Sequence, residues 1–266
     1  LTADAVKNQI NQVVGGKDGQ RFISAIVSAV NTNPALQECT NQSILSGALL
    51  GESLKLSPSP QLGQYYLVPF NDKNKGKVAQ FQLGYKGYIQ LAIRSGQYKK
   101  LNVLAIKEGE LIRFDPLNEE IEVRLIEDEE EREQANTIGY YAMFEYTNGF
   151  RKAIYWSKRK MEAHALKYSK GYQAKKGYTF WEKDFDGMAY KTMLRQLISK
   201  WGIMSIDMAS AIDSDMAVIN EDGTKDYVDN DATVFDMEPA QEATPQQSQP
   251  EPAVPVDAKA ALFGNN

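Results

Sequence analysis

An α+β fold, with a small antiparallel sheet and hairpins packed against helices, is what the chain predicts, and three observations predict it. Apolar residues recur at helical spacing, over Phe22, Ile23, Ile26, Val27 and Val30 and again over Leu194, Leu197, Ile198 and Trp201. Two pairs of short apolar runs flank polar turns. QYYLVPFN and KVAQFQLG enclose DKNKGK, and residues 138–146 and 150–156 enclose Thr147-Asn148-Gly149, where Asn-Gly favours a tight turn. Beyond residue 222 the chain turns to Asp, Thr, Pro, Gln and Ser, a composition that buries too little surface to offset chain entropy.

Taken in order, a helix is expected over residues 21–30, broken at Asn33-Pro34, and a second one capped by Thr40 that runs to about residue 54. The first hairpin follows, then a helix over 85–94. Strands are expected at 101–106, 111–114 and 121–125, the last two around Asp115-Pro116, before the second hairpin. Ser157 opens a helix to about residue 168, and a long helix runs from about 183 to 200, ended by Gly202.

This gives three stretches. Residues 1–32 form a helical segment suited to oligomerisation, 33–215 the core, and 216–266 a disordered acidic tail. The tail tip regains a small apolar cluster (Ala258, Ala260, Ala261, Leu262 and Phe263) that reads either as a docking motif or as a fraying end. No apolar run approaches the ~20 residues of a membrane span. The chain opens on Leu1 rather than Met, as a trimmed chain would, and its start lacks the basic-then-apolar pattern of a secretion signal, so a cytoplasmic location is expected. Cys39 is the only cysteine and His164 the only histidine, which excludes an intramolecular disulfide and a two-Cys, two-His zinc site. Cys39 reads as a small buried residue near a helix start.

Charge is strongly partitioned. The whole chain carries a formal −5, yet residues 151–200 hold thirteen Lys or Arg against four acids, a local +9. Residues 107–133 carry −8 and residues 207–266 carry −11. Threaded through the basic stretch are Tyr155, Trp156, Tyr168, Tyr172, Tyr178, Phe180, Trp181 and Tyr190. Cations that sit on phosphates beside rings that stack on bases make a nucleic-acid surface. The plainer reading is a solvated basic face over an aromatic core.

Helical spacing sharpens the first reading. In YKGYIQLAIRSG the residues Tyr85, Tyr88, Ile89, Ala92 and Ile93 share an apolar face, while Lys86, Gln90 and Arg94 stand at i, i+4 and i+8 on the other. Four residues advance about 6 Å along a helix, close to a phosphate spacing on the order of 6–7 Å in an extended strand. Lys99 and Lys100 follow in the next loop. The last helix repeats the device with Lys191 and Arg195. Asp184 and Asp186 fall in its first turn, where carboxylates favour the helix dipole, a better account of the DFD triplet than a metal site.

Several activities are disfavoured. The nearest approach to a phosphate-binding loop, VVGGKDG, has Asp18 where Ser or Thr is required. His164 sits in the basic KRKMEAHALKYSKG and reads as a helix-surface residue rather than a general base. The acidic run IEDEEERE reads as a solvated charge run rather than the carboxylate cluster of a nuclease.

The blocks NPALQECTNQSILSGALLGESLKLSP, GQYYLVPF, LGYKGYIQLAIRSGQYKKLNVLAIKEGE, WSKRKMEAHALKYSKGY and WEKDFDGMAYKTMLRQLISKWGIMS, in order over about residues 33–215, resemble the RecT family of phage recombinases. The resemblance implies an ATP-independent single-strand annealing protein that assembles as rings or helical filaments, with a fold related to phage Red beta and eukaryotic annealing proteins. It implies single-stranded and annealed DNA as ligands, self-association, a phage exonuclease as partner and the host single-strand-binding protein as a further one. No cofactor is implied; a divalent cation would only modulate annealing. The family's basic blocks fall on Lys86 and Arg94 and on Lys191 and Arg195. Lys158, Arg159, Lys160, Lys167, Lys175 and Lys176 are further candidates for DNA contact, together with Lys99 and Lys100. A non-annealing single-strand-binding protein and a metal-dependent nuclease remain as alternatives.

Overall fold

Two apolar cores meet at one helix, and that arrangement sets where Lys191 and Arg195 stand. A computed structural model describes residue 14 and residues 16–227, less 73, 119 and 178. The elements are α1 (Gly16–Thr32), α2 (Pro34–Gln37), α3 (Asn41–Ser53), β1 (Tyr65–Asp72), β2 (Gly76–Leu83), α4 (Tyr85–Arg94), β3 (Tyr98–Lys107), β4 (Leu111–Asp115) and β5 (Glu120–Val123). They continue as α5 (Glu129–Gln134), β6 (Thr137–Tyr146), β7 (Arg151–Ser157), α6 (Lys158–Tyr168), α7 (Lys170–Gln173), α8 (Phe180–Lys183), α9 (Phe185–Trp201), α10 (Ile206–Ser214), β8 (Ala217–Ile219) and β9 (Lys225–Tyr227). The fold is α+β, with small antiparallel sheets packed against helices.

Strands β1, β2, β8 and β9 form one sheet in that order. Its hairpin pairs Tyr65 with Leu83 through Asp72 with Gly76, and Gly76 takes the positive φ that the turn requires. This sheet packs with α1, α3 and α4 around Phe22, Ile26, Ile44, Tyr65, Phe81 and Tyr88. Thr40 caps α3, its hydroxyl accepting from the Ser43 amide. Cys39 is buried in this core, which pushes its thiol up to about 11.

The second sheet runs β3-β6-β7. Along β6, Tyr140, Ala142, Phe144 and Tyr146 point to one face and Tyr141 and Met143 to the other, the two-residue period of a strand. The first face packs on Met161 and Ala165 of α6 and on α9. The β4-β5 hairpin covers the second, with Phe114 edge-on to Tyr155 at 5.1 Å and Ile121 and Val123 beside them.

Helix α9 gives Leu194 and Ile198 to the first core and Ala189, Met193 and Leu197 to the second, all fully buried. Burial of the Leu, Ile and Met side chains is worth about 1.5–3 kcal/mol each, so α9 joins the two halves, with Tyr98, Leu101 and Val103 of β3 also packed against both. A helix buried on two sides leaves only a narrow polar stripe, and Lys191 and Arg195 occupy it.

Three expectations need correction. The long helix starts at Phe185 rather than 183, because Asp184 leaves helical geometry and caps it, accepting from the Gly187 amide at 2.9 Å. Ile93 does not join the apolar face of α4 but is 60% exposed; Leu91 is buried in its place. The IEDEEERE run is solvated as expected, and it holds a short helix, α5, capped by Asp128, from which Arg132 reaches the wholly buried Glu110. Burial pushes the Glu110 carboxyl up, but the Arg132 guanidinium and the amides of Lys107 and Ile126 outweigh that and hold it low. The chain also does not leave the fold at residue 215. The Met216 amide donates to Phe81 O at 2.8 Å, Ala217 pairs with Phe81, and β9 pairs back on β8 around Gly223.

At the other end, Phe22 and Ile26 of α1 lie in the first core and Ala29 is buried, so the 1–32 segment contributes to that core through α1. The remainder of the expected tail, with its apolar tip, and residues 1–13 lie outside the described residues. No helix among the described residues is long and apolar enough to cross a membrane.

Candidate nucleic-acid interface

Of the twelve cations that the sequence singles out, eleven separate into two groups, and the twelfth is Lys160. Five are engaged by partners within the chain, Lys191 and Arg195 in the interior and Arg94, Lys99 and Lys100 at the surface. Lys191 is 9% exposed, and its ammonium donates to Asp215 Oδ1 at 2.9 Å; Arg195 donates to Asp215 Oδ2 at 2.6 Å. The Asp215 side chain is wholly buried and also accepts from the Leu83 amide at 2.9 Å. Burial presses the Arg195 guanidinium down, but Tyr88 and Asp215 more than reverse this and hold it above its ordinary range. Arg94 donates to the carbonyls of Leu54 and Lys55, the end of α3, where a cation meets the negative pole of the helix. Lys99 and Lys100 pair with Glu145 at 2.6 and 3.6 Å.

The other six behave differently. Lys86, Lys158, Arg159, Lys167, Lys175 and Lys176 form no ion pair among the described residues. All are exposed except the half-buried Lys158. Three lie on α6, which Ser157 starts by accepting from the Lys160 amide. Lys160 stands over the Trp156 ring at 4.3 Å and Lys167 over Tyr168 at 5.1 Å. Lys175 and Lys176 lie in the turn after α7, where Lys175 holds φ +49.

Two adjoining cavities open beside this group, sharing Gln82, Phe180, Met188 and Lys191. The first, about 370 Å³, is lined by His164, Tyr168, Trp181, Arg195 and Asp215 as well. The second, about 470 Å³, adds Tyr66, Gly84, Tyr85 and Lys183. Together they make a cleft with aromatic walls and cations at its edges. Sequence spacing picks out neither Tyr66 nor Gln82, because both arrive from the first hairpin, far along the chain.

His164 is not the surface residue expected. It is half-buried among Trp156, Tyr168 and Trp181, with Tyr168 at 4.6 Å. Burial, then the charges of Lys167 and Arg195, hold its imidazole below the ordinary range. The unfolded chain therefore takes up a proton that the fold resists. Stability is complete above the ordinary histidine range and falls as pH drops through about 6.5 toward the lower folded value. Urea unfolding midpoints are expected to decline on acidification through that window, and His164→Gln to flatten the decline.

Asp186 accepts from the Tyr140 hydroxyl at 2.5 Å and Asp184 caps α9, so both acids of the triplet serve the fold, as helix position suggests.

The RecT family model matches residues 20–231. The chain belongs to the RecT family. Protein RecT of Escherichia coli (strain K12) is 31% identical over 199 residues, 74% of this chain and 71% of its own. The uncharacterized protein YqaK of Bacillus subtilis (strain 168) is 39% identical over 269 residues, 97% of this chain and 87% of its own. Membership gives this RecT-family chain its place in DNA recombination, among proteins that bind single strands and anneal them. The matched span ends beyond β9, in accord with a fold that continues past residue 215.

Proposed function

We propose that this chain binds single-stranded DNA without ATP and anneals it to a complementary strand, acting as an oligomer. The observation that carries the reading is that, in a RecT-family fold, Lys86 and Lys167, which form no ion pair among the described residues, stand over Tyr85 and Tyr168, rings that line an aromatic-walled cleft. Lys86, Lys158, Arg159, Lys167, Lys175 and Lys176 would hold phosphates, which gives binding without sequence preference. Lys191 and Arg195 would shape the cleft wall from behind rather than grip the strand, with Arg195 adding positive potential. Side-by-side subunits would extend the groove, and the energy of pairing would come from duplex stacking, about 1.4 kcal/mol per step. A divalent cation would act only as a modulator, and an exonuclease and a host single-strand-binding protein are the partners this role calls for.

One assay separates the readings. Complementary oligonucleotides are mixed with the protein, without nucleotide, with and without magnesium, while duplex yield and strand length are followed. Faster duplex formation at constant length is expected. A slowed reaction would favour a plain single-strand-binding protein, and shortened strands in magnesium a nuclease.

Lys175 gives a sharper check. A lysine at positive φ costs about 1–2 kcal/mol that glycine does not incur. Lys175→Gly is therefore expected to leave thermal stability equal or higher while weakening DNA binding, measured by melting and by fluorescence anisotropy.

A further inference from the structure

Gripping phosphates needs cations alone, yet the larger cavity is walled by rings. Tyr66 from β1 and Phe180 from α8 approach at 5.9 Å between centroids and 40° between planes, and both stay only half-buried. Tyr85 and Met188 line the same space. Of the charged groups in its wall, Asp184 is spent on the Gly187 amide and Lys191 on Asp215, and Lys183 is exposed. Gln82 reaches it from β2 with its amide, one hydrogen of which goes to Gln80 Oε1 at 2.8 Å; a carboxamide has a second donor and an acceptor oxygen besides. At Gly63, beside the cavity, an added Cβ would lie 3.1 Å from the Tyr66 hydroxyl and 3.4 Å from Lys86 Cδ. The stem of Lys86, which forms no ion pair among the described residues, therefore runs beside the ring that lines the cavity.

This order, cation outside and rings with an amide inside, is the order in which a nucleotide presents its phosphate and base. We propose that the cavity takes one nucleobase of the bound strand against Phe180 and Tyr66, its edge toward Gln82, with the adjoining phosphate at Lys86. The inference rests on the DNA reading above and adds a base site to it. At about 470 Å³ the cavity falls in the range of ~300–1,000 Å³ typical of small-ligand sites. Rings accept the face of any base, so such a site preserves sequence tolerance. One base per subunit would be withdrawn from pairing while its neighbours stay free, and would be released as the duplex forms.

The test uses the full chain and an oligothymidylate carrying 5-iodouracil, irradiated and mapped by peptide mass. Crosslinks to Tyr66, Tyr85 or Phe180 are expected. Crosslinks confined to other residues, with the strand retained, would overturn the base site while leaving DNA binding standing; a strand not retained at all would overturn both. A second arm compares Tyr66→Leu/Phe180→Leu with the native chain on normal and abasic oligonucleotides. Affinity for the normal strand is expected to fall about ten- to a hundredfold with the abasic strand unaffected. An equal loss on both would show that the rings serve only the fold.

Discussion

Asp215→Ala is expected to lower the free energy of unfolding by about 3–5 kcal/mol, the cost of breaking a buried ion pair from one side. The carboxylate is wholly buried and accepts from Lys191, Arg195 and the Leu83 amide, so it ties α9 to β2 where the two cores meet. Its loss leaves the Lys191 ammonium 9% exposed with no counter-charge. Lys191→Met should cost less, about 1–3 kcal/mol, because Arg195 still neutralises Asp215 and only one charged hydrogen bond is lost. Urea unfolding of the two variants gives the comparison. The sequence suggests that Lys191 and Arg195 can both become alanine with the fold intact and annealing abolished. The buried carboxylate changes that expectation: the double variant strands Asp215, so any lost annealing must be read together with lost stability.

Replacing Lys158, Arg159, Lys167, Lys175 and Lys176 together by glutamine is expected to do the opposite, weakening DNA binding severely with little effect on folding. None of the five forms an ion pair among the described residues, so none leaves a buried charge behind. Each phosphate contact on a single strand contributes about 0.7 to the slope of log K against log salt. Five lost contacts amount to roughly three orders of magnitude in affinity at physiological salt on the same relation. Anisotropy titrations beside melting curves check both halves of the expectation.

Much of the fold is legible in the sequence because its signals are local. The hairpin around DKNKGK, the Asn-Gly turn, Thr40 and Ser157 as caps and the helix over 85–94 all depend on residues within a few positions of each other. What is not legible depends on distant partners. Periodicity sets Lys86 and Arg94 on the polar side of one helix, but only the fold shows Arg94 turned onto Leu54 and Lys55 and Lys86 without an ion pair among the described residues. The spacing of Lys191 and Arg195 is real, yet Asp215 lies 24 and 20 residues away. The last hairpin had a usable signal in Asp222-Gly223 between AVI and KDY, overshadowed by the polar composition beyond it. His164 reads as a surface residue because its neighbours in sequence are basic, while its neighbours in space are rings.

The most direct test of the division between unpaired and committed cations is the salt slope of binding to oligothymidylate, measured side by side for the five-residue glutamine variant and for Lys191→Met. The division predicts a slope shallower by up to about 3.5 in the first and unchanged in the second. A native slope in the first, with the loss appearing in the second, would contradict it.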